Sequence, residues 1–207
     1  MQNAIILAIT VVGFLALSFY SGIFSGRLKK GMFLYYTNLS NLLVCIYFFM
    51  LFLYRISDIN ALSFLEDSVV SFSVTMIITM TFLVFHFILV PYAMKNEDII
   101  LQLDVKIGEC VVFHYIIPIA VILYWFFYAD KKLDNPFMCF LWLGAPLVYF
   151  IFIMVRAGKG KVIDGTKSRF PYPFIDIDLI GKRRCVENIF GLFAVFILLS
   201  GFLYYYV

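Results

Sequence analysis

The sequence predicts an all-α membrane protein with six transmembrane helices in one bundle. Of its 207 residues, 64% are hydrophobic and 14% are charged, whereas soluble domains average about 45–50% apolar and about 25% charged residues. The apolar residues also fall into blocks of about 20, the length at which a helix crosses about 30 Å of hydrocarbon. None of the blocks alternates apolar and polar residues as the strands of a membrane β-barrel do.

Six blocks are long enough to span a bilayer, at 3–24, 33–54, 68–91, 108–129, 137–155 and 186–206. Among the charged residues only Glu109 and Glu187 fall within them, each near the end of its block. The first block is too long for the apolar region of a signal peptide and follows no basic residue, so we expect it to remain as the first span. No internal repeat or separable soluble segment interrupts the blocks, which predicts a single membrane domain over 1–207.

The lysines and arginines predict the orientation of the chain. Thirteen of the sixteen lie in the first, third and fifth connections, and only Arg55, Lys131 and Lys132 lie on the other side. Because basic loops resist translocation, we expect a multi-pass protein of the cell membrane with basic loops in the cytoplasm and both termini outside. These charges are interpreted as topology determinants, so membrane lipid is the expected partner and nucleic acid is not.

Three polar side chains are predicted to lie at one depth near the cytoplasmic face. From the ends of their blocks, Thr37 lies about 6 Å deep, His114 about 9 Å and His86 about 7.5 Å. Polar groups in hydrocarbon are costly and mark functional sites by default. We therefore expect a functional site at this level.

The neighbours of Thr37 strengthen this expectation. Thr37, Ser40 and Asn41 have the i, i+3, i+4 spacing of one helix face, which we expect to point into the bundle. Asn38 adds a further amide. Pro118 follows His114 by four residues and lacks the N–H that would bond to the carbonyl of His114, so a kink is expected there.

A second polar stripe follows the third span at Ser71, Thr75, Thr79 and His86, and its first three members are hydroxyl residues. Serine and threonine commonly join transmembrane helices through hydrogen bonds between helices. We therefore expect this stripe to lie on an interior seam and to bond to a neighbouring helix.

The segment from Arg169 to Asp176 reads Arg-Phe-Pro-Tyr-Pro-Phe-Ile-Asp. Its two prolines forbid a regular helix, and its aromatic residues suit the lipid headgroup region. Either a lid over the cytoplasmic mouth or a plain interfacial anchor fits this composition. Glu187 and Asn188 follow at the start of the last span, and together with His86 they are predicted substrate contacts.

These residue types favour hydrolysis of a lipid ester. A threonine hydroxyl is a poor nucleophile until a base takes its proton, and a neutral imidazole is suited to that near pH 7. Thr37 as nucleophile and His114 as base would attack an ester entering from the bilayer, with Asn38, Ser40 or Asn41 donating hydrogen bonds to the oxyanion.

Other functions stay open at this stage. His86 and His114, on adjacent spans, are also suited to be the axial ligands of one haem b. A zinc site of the two histidines with Glu109 or Glu187 is conceivable, but it is less favoured, because the chain has two histidines in all. A structural or transport role is the remaining alternative. We expect no cofactor.

Three strings carry a family resemblance. They are Tyr-Tyr-Thr-Asn-Leu-Ser-Asn at 35–41, His-Tyr-Ile-Ile-Pro at 114–118 and Phe-Pro-Tyr-Pro-Phe-Ile-Asp at 170–176. They resemble a bacterial group of six-span membrane proteins that is distantly similar to the androgen-induced gene / androgen-dependent TFPI-regulating protein family. That resemblance implies a nucleophilic threonine at Thr37, a catalytic histidine at His114, and hydrolysis of fatty acid esters of hydroxy fatty acids.

Overall fold

The computed structural model describes residues 1–26, 28–57, 60–95 and 111–206, and these residues are mostly helical and form no strand. Five helices are long and apolar enough to cross a membrane. They are α1 (Gln2–Ser21), α2 (Tyr36–Ser57), α3 (Ser68–Lys95), α5 (Pro136–Gly158) and α6 (Lys182–Tyr206). This composition and these lengths are those of a helical membrane protein.

The remaining long helix, α4, covers Val112–Tyr128 and is shorter than the other five. It corresponds to the predicted span 108–129, whose first residues, including Glu109, lie outside the described part of the chain. The described part of α4 alone is therefore not long enough to count as a sixth span.

The start of α2 differs from its predicted position. Helix α1 ends at Ser21 because Gly22 adopts a left-handed conformation with φ of 77°, the usual glycine termination of a helix. A 3₁₀ turn at Lys30–Leu34 then precedes α2, which begins at Tyr36 instead of 33. Thr37 therefore lies in the first turn of α2, closer to the start of the helix than expected, and its depth in the membrane stays a prediction.

The chain forms two compact units, Met1–Asp134 and Asn135–Val207. In the first unit, α1 to α4 enclose an apolar core that includes Ile6, Val44, Phe48, Ile78 and Ile117. Helices α1 and α2 approach closely at Gly13, where an added Cβ would lie 2.2 Å from Cys45 Sγ. Small residues at such crossings let transmembrane helices pack backbone to backbone.

Two helices of the first unit contain a wide π turn, and each turn comes shortly before a proline. In α3 the turn is Phe85–Leu89, ahead of Pro91, and in α4 it is Val112–Ile116, ahead of Pro118. Proline has no N–H to donate, and a π turn is one way in which a transmembrane helix accommodates it. Helix α3 therefore continues to Lys95, and its predicted end at Pro91 was wrong.

The second unit contains α5, α6 and the connection between them. Helix α5 begins with a 3₁₀ segment, Pro136–Leu143. Trp142 on this segment donates a 2.9 Å hydrogen bond from Nε1 to Ser200 Oγ on α6. Its ring also contacts Phe196 edge to face. A buried polar pair inside an aromatic contact thus joins the two helices of this unit.

Candidate functional site

Thr37 and His114, 77 positions apart in sequence, meet in the first unit. Thr37 Oγ1 lies 3.1 Å from His114 Nε2, within hydrogen-bond distance. Thr37 is buried in the first turn of α2, and His114 is half-buried in the π turn of α4. The two predicted catalytic side chains are thus in direct contact, although their catalytic role stays a prediction.

The ring of His114 is held by Phe85 from α3. The two rings stack with 3.8 Å between their centroids and 24° between their planes. Both residues lie in π turns, which are frequently found at functional sites. The stacking limits rotation of the imidazole and keeps Nε2 directed toward Thr37.

Asn41 connects the first turn of α2 to the π turn of α4. Its Nδ2 donates to the carbonyl of Thr37 at 2.8 Å and to the carbonyl of Phe113 at 3.1 Å. Phe113 lies five residues before Pro118, so its carbonyl is the one that a π turn would pair with the N–H that proline lacks. Asn41 is fully buried, and its Oδ1 accepts no hydrogen bond within the described residues.

The other polar residues of α2 have defined partners. Ser40 Oγ lies 3.0 Å from the Thr37 carbonyl and 2.8 Å from Thr81 Oγ1 on α3. Asn38 Nδ2 donates to the Met32 carbonyl at 2.8 Å. Both hydrogens of the Asn41 amide bond to carbonyls in this structure. The role of Asn41 as an oxyanion donor stays a prediction, as do those of Asn38 and Ser40, and Asn38 keeps a second amide hydrogen.

His86 lies apart from the Thr37–His114 pair in its contacts. Its side chain is exposed, and its Nδ1 is 3.1 Å from the hydroxyl of Tyr115. Its ring stacks on Phe82 at 6.0 Å. Within the described residues no hydrogen bond joins His86 to Thr37 or His114, so a contact to substrate is still only predicted for it.

The hydroxyl stripe of α3 bonds differently from what its sequence predicts. Ser71 donates to Ser68, Thr75 to Ser71 and Thr79 to Thr75, always to a carbonyl of α3 itself. Thr81, which the stripe did not include, is the hydroxyl that reaches α2. The expected bonds from the stripe to a neighbouring helix are therefore wrong for the described residues.

Glu187 and Asn188 belong to the second unit. Glu187 Oε1 accepts from Arg183 Nε at 2.8 Å, and Asn188 Nδ2 donates to the carbonyl of Phe174 at 2.9 Å. Both contacts lie at the start of α6. The first is a pair within α6, and the second joins α6 to the proline-containing loop. The role of the two residues in substrate binding stays a prediction.

The loop 169–176 is folded tightly within the second unit. Asp176 accepts from Ser168 Oγ and from two backbone N–H groups of the short helix Ile177–Ile180. Arg169 forms a bidentate ion pair with Asp178. These hydrogen bonds hold the pKa of the Asp178 carboxyl below its usual value. Arg169 also donates to the carbonyl of Ala157 at the end of α5. The loop is thus attached to both long helices of its unit.

Two observations in the described residues concern the metal and haem alternatives. No three histidine, cysteine, aspartate or glutamate side chains come together in them, and Glu109 lies outside them. His114 Nε2, the nitrogen that usually binds haem iron, faces Thr37.

The sequence does not single out Phe85, because nothing in the local pattern distinguishes it from the other phenylalanines. The role of the Phe113 carbonyl was signalled by Pro118.

The chain matches no protein-family model, no curated protein and no solved structure. The family resemblance therefore rests on the three short strings alone.

Proposed function

We propose that this protein is an intramembrane hydrolase of lipid esters, with Thr37 as nucleophile and His114 as general base. The observation that carries the proposal is the 3.1 Å contact between Thr37 Oγ1 and His114 Nε2. A nucleophile and a base within hydrogen-bond reach, with the base oriented by a third group, are the usual arrangement for covalent catalysis. Here Phe85 is the group that orients the base.

In the proposed reaction, His114 Nε2 takes the proton of the Thr37 hydroxyl as Oγ1 attacks the ester carbonyl. The tetrahedral intermediate collapses, the acyl group stays on Thr37, and the alcohol leaves with the proton from His114. A water molecule then attacks the acyl group and gives a proton to His114. The threonine oxygen leaves, takes that proton back, and the fatty acid is released.

The position of Thr37 supports this chemistry electrostatically. A helix amino terminus carries a partial positive charge, which stabilises negative charge in the first turn. Thr37 is the second residue of α2. The same field favours the oxyanion that forms on the substrate carbonyl, and Asn38 offers an amide hydrogen for it.

The proposal includes the membrane arrangement. We infer six spans in the cell membrane, with α4 as the fourth, basic connections in the cytoplasm and both termini outside. In this topology Thr37 and His114 lie near the cytoplasmic leaflet, from which the ester would enter. The resemblance to the androgen-induced gene family favours a fatty acid ester as substrate.

A fluorophosphonate probe tests the nucleophile. The purified protein is labelled in detergent, and the modified peptide is identified by mass spectrometry. We expect the label on Thr37 and expect it to disappear in Thr37→Ala. Thr79→Ala is a matched control, because the Thr79 hydroxyl bonds to its own helix, and it should be labelled as the wild type is.

Absence of the label would contradict the proposed nucleophile. A wild-type preparation that melts cooperatively but takes up no label contradicts an activated threonine. A Soret absorption band in the same sample, lost in His86→Ala, would favour the haem alternative instead.

A further inference from the structure

A second polar site lies in the first unit, at the opposite end of α2 from Thr37. A cavity of about 310 Å³ opens there between α2, α3, the end of α4 and the 3₁₀ segment Asn60–Glu66. Its polar lining includes Tyr47, Arg55, Glu66, Tyr124, Tyr128 and Asp130. Eighteen residues of helix place Arg55 about 27 Å from Thr37 along α2, so this cavity is separate from the proposed catalytic pair.

Arg55 supplies a positive group that is only partly neutralised. Its Nη2 lies 2.6 Å from Glu66 Oε1, and 23% of its side chain is exposed. Its Nε is buried and has no acceptor within the described residues. The exposed part of the Arg55 side chain, which lines the cavity, is therefore the part that can bind an anionic oxygen.

Tyrosines line the same cavity as this arginine. Tyr47 donates to the carbonyl of Leu65 at 3.0 Å, which ties the 3₁₀ segment to α2. The hydroxyl of Tyr124 accepts from Gln2 Nε2 at 3.1 Å, so its own hydrogen remains for donation. An anionic oxygen beside Arg55 would thus have a second donor in Tyr124.

The acidic groups of the cavity outnumber its cation. Among the described residues, its charged lining consists of Glu66, Asp130 and Arg55. The rings of Tyr124 and Tyr128, which also line it, stack on each other with 5.7 Å between their centroids. Lys131, the nearest following cation, extends over the ring of Trp125 instead. Carboxylates beside aromatic faces attract an ammonium group, while the excess of negative charge disfavours a ligand that is purely anionic.

We propose that this cavity binds a zwitterion, with its anionic oxygens at Arg55 and Tyr124 and its primary ammonium group at Glu66 and Asp130. Two sources have this chemistry: the headgroup of phosphatidylethanolamine and a free α-amino acid. The position at the ends of the helices suits either source.

Isothermal titration calorimetry on the full chain in lipid-free detergent tests the proposal. Glycerophosphoethanolamine and L-leucine carry both charged ends, whereas ethanolamine and glycerol phosphate carry one each. We expect the affinity for at least one of the two zwitterions to be about tenfold higher, or more, than the affinity for either single-ended compound. Tight binding of glycerophosphoethanolamine alone identifies a headgroup site, and tight binding of L-leucine alone identifies an amino-acid site.

Three variants locate the binding. Asp130→Asn should weaken binding of the zwitterion by about threefold, as expected for an exposed charge. Asp134→Asn, an exposed carboxylate of the same loop that does not line the cavity, should leave binding unchanged. Arg55→Lys keeps a positive charge beside Glu66 but replaces the planar guanidinium with an ammonium group that has fewer donors, and we expect about tenfold weaker binding with little loss of melting temperature.

The proposal is overturned if ethanolamine or glycerol phosphate binds as tightly as both zwitterions, or if none of the four compounds binds. Equal affinities in Asp130→Asn and Asp134→Asn would also overturn it. Thr37→Ala should bind the zwitterion as the wild type does, so this result does not depend on the proposed hydrolysis.

Discussion

The two ends of α2 accommodate polar groups within an apolar chain in opposite ways. At the Thr37 end the polar groups are uncharged and mostly buried, and Asn41 and Ser40 connect α2 to α4 and α3. At the Arg55 end they include charges, and a cavity stays open among them. Neutral groups can be satisfied by hydrogen bonds between helices, whereas charges are costly to bury even when paired. We therefore expect a closed reactive pair at the Thr37 end of α2 and an open binding cavity at the Arg55 end.

The largest expected effect tests the reactive end. Thr37→Ala and His114→Ala should each lower lipid-ester hydrolysis by about 10³-fold or more, because each removes a partner of the proton transfer. The melting temperature in detergent should change little. The measurement is the release of fatty acid from a panel of lipid esters by the purified variants.

Two further variants make this result specific to one end of α2. Arg55→Lys should leave hydrolysis near the wild-type rate, since Arg55 lies at the other end. Thr79→Ala should do the same. Full activity in Thr37→Ala would contradict the assignment of the nucleophile.

The next effect concerns the connection between α2 and α4. Asn41→Ala removes two buried hydrogen bonds and leaves the carbonyls of Thr37 and Phe113 without this donor, at a cost of about 2–4 kcal/mol. We expect a lower melting temperature together with slower hydrolysis, because the π turn that holds His114 loses its support. Asn188→Ala removes one exposed amide contact and serves as the control. If both variants melt alike, the connection by Asn41 is not a stabilising one.

A smaller effect is expected midway between the two ends, where α1 crosses α2. Gly13→Ala would place a methyl group 2.2 Å from Cys45 Sγ, and such overpacking costs about 1–3 kcal/mol. We expect thermal melting at a lower temperature. Gly191→Ala on α6, where no atom lies within 4 Å of an added Cβ, should not show this loss.

The double variant Gly13→Ala/Cys45→Ala separates overpacking from other causes. Removal of the Cys45 sulfur makes room for the added methyl group, so the double variant should regain much of the loss. A double variant less stable than Gly13→Ala would show that the close approach is not the reason.

The smallest effect lies in the second unit and depends on pH. Arg169 holds the pKa of the Asp178 carboxyl below its usual value, so the pair contributes stability above the unfolded pKa of about 4 and loses it as the pH falls through the lower folded pKa. The difference in melting temperature between the wild type and Asp178→Asn should therefore shrink between about pH 6 and about pH 3. A difference that grows over this range would contradict the pair.

Much of the local structure could be predicted from the sequence. The apolar blocks match the long helices to within a few residues at most ends, because block length and hydropathy act locally. The differences lie at helix ends whose position depends on the local backbone conformation. Gly22 ended α1 early, a 3₁₀ turn delayed α2, and the π turn before Pro91 let α3 continue. The pairing of Thr37 with His114 was predicted from depth and residue type, whereas the use of Asn41 was not.

The sequence by itself determined a helical membrane chain whose polar residues share one face of α2, since hydropathy and helical period are properties of neighbouring residues. Only the tertiary structure decided that His114 Nε2 faces Thr37, that Phe85 holds the ring, that Asn41 serves two carbonyls, and that Arg55 and Glu66 border a cavity. These facts depend on the rotation and axial position of one helix against another. A rotation of a single residue step, about 100°, would separate each of these contacts, and no local pattern encodes that rotation.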